Sequence, residues 1–155
     1  MFVWLVLVLA SLFGGFSLPG RVVSVADGDT LIVVTTGGEV RKIRLYGIDC
    51  PESLQAWGKE AAVFSRSLVL FAEVSLEEMD TDQYGRSVAI VTLADGRVLN
   101  EELLQQGYAW VYSGYCKAAR CRYWQSLENA ARNKKIGLWR DKKPVPPWRW
   151  RRLHT

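Results

Sequence analysis

As a string of apolar and polar positions, the chain changes character abruptly after its first 20 residues. Met1 to Leu9 is almost unbroken Phe, Val, Trp and Leu, and nothing before Arg21 is charged. From Arg21 onward the apolar residues fall into short alternating runs, the pattern of strands with one face turned to a core. Arg21–Val25, Thr30–Thr35 and Glu39–Tyr46 are three such runs, separated by the turn formers Asp27-Gly28 and Gly37-Gly38, and they predict a β-meander. Gln55 to Phe71 switches to helical spacing. Ala61, Ala62, Phe64, Ser65, Leu68 and Val69 fall on one side, with Lys59, Glu60 and Arg66 mostly on the other. Strands are predicted again over Glu73–Met79 and Arg86–Leu93, with Tyr84-Gly85 in the turn between them. Asn100 is placed to cap a short helix ending at Gly107. Arg120–Lys135 predicts a last helix, with Tyr123, Trp124, Leu127 and Ala131 toward the core. Lys142–Thr155, which contains Pro144, Pro146 and Pro147, is expected to be extended. The fold class is therefore α+β, mainly β: a small closed five-stranded barrel with helical padding, preceded by an N-terminal hydrophobic segment.

A length of 155 residues suits one compact domain. Residues 1–19 are expected to be a signal peptide or a membrane anchor, 20–141 the folded domain, and 142–155 a basic tail rich in Pro, Trp and Arg. Gly15-Phe16-Ser17 offers small residues at the spacing of a cleavage site, although no Lys or Arg stands near the start. An uncleaved anchor is the rival, its apolar run being at the short limit for a bilayer. Both readings put the folded domain outside the cytoplasm, either secreted or periplasmic, or held at a membrane through residues 1–19.

Charge divides the chain a second time. The net charge of +4 conceals a basic end: Arg132 to Thr155 carries nine basic residues and one acid, Asp141. The remainder is net acidic. A basic end with Trp148 and Trp150 interleaved suits a polyanion, and a solvated tail is the competing reading. The histidine and cysteine content excludes whole classes of chemistry. His154 in the tail is the only histidine, so a histidine-built zinc site or a Ser-His or Cys-His nucleophile pair is ruled out. Chemistry must run on carboxylates, arginines, tyrosines or a bound hard cation. Cys116 and Cys121 close a short loop and would pair in an oxidising compartment; two small buried hydrophobes is the alternative.

Three segments gather acids and arginines beside turn residues at strand ends. They are Asp27-Gly28-Asp29-Thr30, Arg44 to Glu52 (RLYGIDCPE), and Asp82-Gln83-Tyr84-Gly85-Arg86. Each alone reads as a turn. Together they supply the hard oxygens of Asp29 and Asp49 for Ca²⁺, Glu52 three residues further on to act on water, and the guanidinium forks of Arg44 and Arg86 for a phosphate. That set meets the needs of phosphodiester hydrolysis.

With these motifs in this order, the chain resembles the thermonuclease (staphylococcal nuclease-like) family from about Val22 to Trp139. The resemblance implies an OB-type barrel with three helices and a monomeric, calcium-dependent endonuclease that cuts DNA and RNA and leaves 3′-phosphate ends. By motif position it implies that Asp29, Asp49 and the Cys50 backbone carbonyl hold Ca²⁺. Arg44 and Arg86 would contact the scissile phosphate, and Glu52 would be the general base. Tyr84 would contact the nucleotide, with Tyr112 or Tyr115 as a second contact. The chain departs from the best-known member at Cys50, where that member has Thr, and at Gln83, where it has Lys. The stretch between Glu52 and the first helix is also short. The alternative function is an OB-fold nucleic-acid-binding module without catalysis. Such a module has no use for three carboxylates, which repel phosphate unless a cation neutralises them.

Overall fold

In chain order the computed structural model, which describes residues 17–155, runs β1 (Ser17–Asp27), β2 (Thr30–Thr35), β3 (Val40–Leu45) and a two-residue β4 (Ile48–Asp49). Next come α1 (Gly58–Val69), β5 (Glu73–Thr81), β6 (Ser87–Leu93), α2 (Leu99–Gln105) and the short β7 (Trp110–Val111). The chain ends with α3 (Cys121–Asn133), a 3₁₀ turn over Gly137–Arg140, and α4 (Pro147–Leu153). The proposed signal or anchor lies outside the described residues except for Ser17, Leu18 and Pro19, which open β1 opposite Glu77, Leu76 and Ser75 of β5. Among the described residues no helix is long and apolar enough to cross a membrane.

Strands β1-β2-β3-β6-β5 close into a barrel through antiparallel pairs and one parallel pair, β3 with β6. This is the OB-type arrangement expected. Alternation explains the burial: Leu31 and Val33 of β2, Ile43 and Leu45 of β3, Leu76 of β5 and Ile90 of β6 are fully or almost fully buried. Between Ile43 and Leu45, the half-buried Arg44 points away from that core. Helix α1 caps one end through Ala61, Ser65 and Val69. In α3 the stripe Trp124, Glu128 and Ala131 turns inward. Tyr123, expected in that stripe, is exposed. Its place is taken by Glu128, whose carboxylate accepts from the Val111 N–H (2.5 Å) and from Arg132 Nε (2.8 Å) and so remains paired in the interior.

Two further expectations are corrected. Asn100 does not cap α2, whose N-terminal cap is Val98. The Asn100 side chain is buried, accepts from the Val91 N–H (3.2 Å) and donates to the Tyr46 carbonyl (3.0 Å), stitching the helix to the barrel. The tail from Lys142 is not extended throughout. Pro147 lacks an N–H and has φ pre-set for a first helical residue, so it starts α4 instead of forbidding a helix. Of the tail, 142–146 remains irregular.

Candidate active site

The acids sit where strands end and the backbone turns. Asp29 follows the Asp27-Gly28 turn, and its N–H donates to Asp27 Oδ1 (3.0 Å). Gly28 is required here by close approach. A Cβ on it would stand 2.8 Å from Cys50 Cβ and 2.9 Å from Ala61 Cβ, while its carbonyl accepts from Ser65 Oγ of α1 (2.6 Å). Arg44, opposite Thr30 in the β2–β3 ladder, reaches both acids: Nη1 lies 3.0 Å from Asp29 Oδ2 and Nη2 donates to Asp49 Oδ1 (2.8 Å). Asp49 belongs to β4, which is held by pairing with Trp110 of β7. The Cys50 N–H donates to Asp29 Oδ2 (2.6 Å), locking the two motif segments together.

Glu52 is held differently. Its N–H donates to Gln55 Oε1 (3.1 Å) and its carbonyl accepts from the Gln55 N–H (2.8 Å). The loop folds so tightly onto the start of α1 that a Cβ on Gly58 would overlap the Glu52 carbonyl oxygen at 1.9 Å. Exposure then separates the acids. The side chains of Asp49 and Asp29 are 2% and 8% exposed, and that of Glu52 is 33% exposed.

Burial sets the charge behaviour. Loss of solvent pushes the Asp29 carboxyl up to about 8, against the pull of Arg44 and with a further push from Asp27 and Asp49. Burial raises Asp49 as well, although hydrogen bonds from Arg151 and the charge of Arg44 oppose it. The Cys50 thiol is driven well above its ordinary value, chiefly by burial, so this buried free cysteine has little thiolate to oxidise.

Arg151 of α4 was not expected at this site. Its Nη1 donates to Asp49 Oδ1 (3.2 Å) and Glu52 Oε1 (2.6 Å), and its Nη2 donates to Asp49 Oδ2 (2.9 Å). Three carboxylates thus face two guanidiniums. Buried carboxylates that converge at one place have the donor chemistry of a site for a hard cation with oxygen ligands. Asp29 and Asp49 are the carboxylates that could hold it, and no group of three ligating side chains clusters among the described residues.

The remaining candidates lie around this centre. Arg86 does not touch the acids. Its Nε donates to Asp82 Oδ2 (2.6 Å), its guanidinium lies 5.6 Å from the Tyr84 ring centroid, and it immediately precedes the strand whose Val88 stands opposite Arg44. Tyr84 is exposed. Tyr112 stacks on Trp148 of α4 with centroids 4.9 Å apart and planes 3° from parallel, and its other neighbour is the exposed Tyr115, at 4.5 Å. Cys116 and Cys121 are joined in a disulfide that ties the loop after β7 to the first residue of α3. The residues that sequence reasoning missed are Arg151 and Gln55, and Trp148, read as part of a polyanion-binding end, stacks instead on Tyr112. The available signal was Pro147 at a helix start, with Trp148 and Arg151 three apart and hence on one face.

The fold and site define an OB-type barrel protein with buried acids and arginines gathered at its strand ends. The family model described as staphylococcal nuclease homologue matches residues 42–141. An endonuclease of Escherichia coli O157:H7, otherwise uncharacterised, is 42% identical over 132 residues, spanning 85% of this chain and 84% of that protein. A micrococcal nuclease of Shigella flexneri is 36% identical over 141 residues, 86% and 80% of the two chains. A staphylococcal-like nuclease of Arabidopsis thaliana is 39% identical over 111 residues, 72% of this chain and 33% of that one. The chain belongs to the staphylococcal nuclease family.

Proposed function

We propose that the chain is a calcium-dependent endonuclease that cuts DNA and RNA and leaves 3′-phosphate ends. Family membership makes it a phosphodiester hydrolase; the metal, the substrate range and the product end are our reading. The observation that carries it is the unequal exposure of three acids around shared arginines. Asp29 and Asp49 are too buried to meet substrate and are suited to hold a cation, whereas Glu52 can reach solvent and take a proton from water. Bound Ca²⁺ would supply positive charge to polarise the phosphoryl oxygen. Asp29, Asp49 and the Cys50 carbonyl are the groups that would hold it. Glu52 accepts the proton as water attacks phosphorus, and the bond to the 5′ oxygen breaks. Arg44 and Arg86 present donors to the phosphoryl oxygens, where charge builds in the transition state. Tyr84 offers a solvent-facing ring for a base.

Export, or attachment to a membrane with the nuclease domain outside the cytoplasm, belongs to the same proposal. It is supported by the uncharged apolar start of the chain and by the Cys116–Cys121 bridge, since disulfides persist in oxidising compartments. The deciding experiment incubates the protein with plasmid, single-stranded DNA and RNA, with CaCl₂ or with excess chelator. Cleavage with calcium and none with chelator is expected. Full activity in chelator would refute the metal assignment, and binding without cleavage under every condition would favour the non-catalytic module.

A further inference from the structure

The C-terminal helix is built to deliver one side chain. Seven residues do not sustain a helix alone in water, so α4 stands on its contacts. Pro147 is buried, and Trp148 lies flat on Tyr112 and edge-on to Trp110 at 5.8 Å. Just before the helix, the Val145 carbonyl accepts from Gln55 Nε2 (2.7 Å). That same Gln55 holds the Glu52 backbone. Three residues after Trp148, on the same helix face, Arg151 forks onto both oxygens of Asp49 and onto Glu52. The neighbouring Arg149 and Arg152 are exposed. The family model ends at residue 141, before α4 begins.

We propose that Arg151 is a positioning residue that acts as an internal cation, competing with the metal for Asp49 while keeping Glu52 turned into the site. The inference rests on the calcium-dependent reading above. A guanidinium bidentate on a buried carboxylate occupies the oxygens a metal needs, and its positive charge repels an incoming divalent ion at short range. The C-terminal helix thereby sets the calcium concentration at which the site fills. Without Arg151 the metal would bind more tightly, and Glu52 would lose the partner that fixes its carboxylate.

The test is calorimetric titration of the full chain with CaCl₂ and no substrate, followed by steady-state kinetics at saturating calcium. R151Q is expected to bind Ca²⁺ about tenfold more tightly than wild type, because one nearby positive charge is removed. Its kcat should fall about tenfold with KM less affected. R152Q loses the same charge at an exposed position and should stay within about twofold of wild type in calcium affinity. Circular dichroism checks that each variant is folded. If R151Q does not fold, R151K keeps the charge and stem but loses the fork, and should bind Ca²⁺ several-fold more tightly. Unchanged or weaker calcium affinity in the folded variant, with wild type binding normally, overturns the role of Arg151 and leaves the proposed function standing. Absence of calcium binding by wild type at millimolar concentration overturns the calcium reading, and this inference with it.

Discussion

Asp29, Arg44 and Asp49 are carried on paired strands of the barrel rim, whereas Arg151 reaches the same carboxylates on a seven-residue helix at the far end of the chain. The first group is nearly sealed from water and tied by interlocking hydrogen bonds to the backbone. The second is more than a third exposed, and its helix leans on an aromatic stack. Removing a member of the first group should break the site. Removing the second should retune it, because its support can come away while the barrel stays closed.

The largest effects should fall inside the barrel group and on the acid beside it. Glu52→Gln keeps the size but cannot take a proton, so kcat should fall by about two to three orders of magnitude and excess calcium should not restore it. Near wild-type turnover in this variant would remove Glu52 from the mechanism. Arg44→Ala leaves two buried carboxylates without their shared partner and should cost about 3–5 kcal/mol of stability, read by denaturant titration. A loss below about 1 kcal/mol would mean that the rim is less tightly coupled than its distances indicate.

Next in size is Asp29→Ala, which should act first through the metal. Its activity should recover in part when calcium is raised well above the wild-type requirement, and a calcium titration of rate distinguishes it from Glu52→Gln. Truncation after Asp141 removes Trp148 from Tyr112 and the carbonyl that Gln55 holds, so the melting temperature should drop by about 5 °C. An unchanged melting temperature would show the tail to be only loosely attached. The smallest effect belongs to the exposed Arg149 and Arg152. Replacing both with Gln should leave stability within about 0.5 kcal/mol and lower the salt slope of DNA binding by about 1–2.

Much of this arrangement was legible in the sequence because it is written in local codes. The turn at Asp27-Gly28, the alternation through Ile43 and Leu45, and the helical spacing around Ala61 and Ser65 each depend on residues close together in the chain. The motif order then put Asp29, Arg44 and Asp49 at neighbouring strand ends. What escaped was decided by contacts across long separations. Asn100 looks like a cap by its neighbours but is claimed by Val91 and Tyr46. Three prolines made an extended tail the economical reading, and only the aromatic surface at Trp110 and Tyr112 makes a helix worthwhile there. The core-facing stripe read along the last helix passes over Glu128, yet the Val111 N–H and Arg132 draw it inside. The β4–β7 pair is two residues per strand, too short for periodicity to register.

The barrel's two closing seams also bear on how activity appears during folding. The β1-β2-β3 meander and the β5-β6 hairpin each form from neighbouring segments, but β1 meets β5, and β3 meets β6, across long stretches of intervening chain. Contacts of that kind are slow, because loop-closure entropy is spent before any reward arrives. Arg44 lies on the β3 side of one seam, and Arg86 immediately precedes its β6 side. A half-closed intermediate can therefore contain every residue of the proposed site and still lack the pairing of Arg44 and Arg86 proposed to bind phosphate. In a refolding experiment, cleavage should return with the slow closure of the barrel and lag behind the early gain of strand structure.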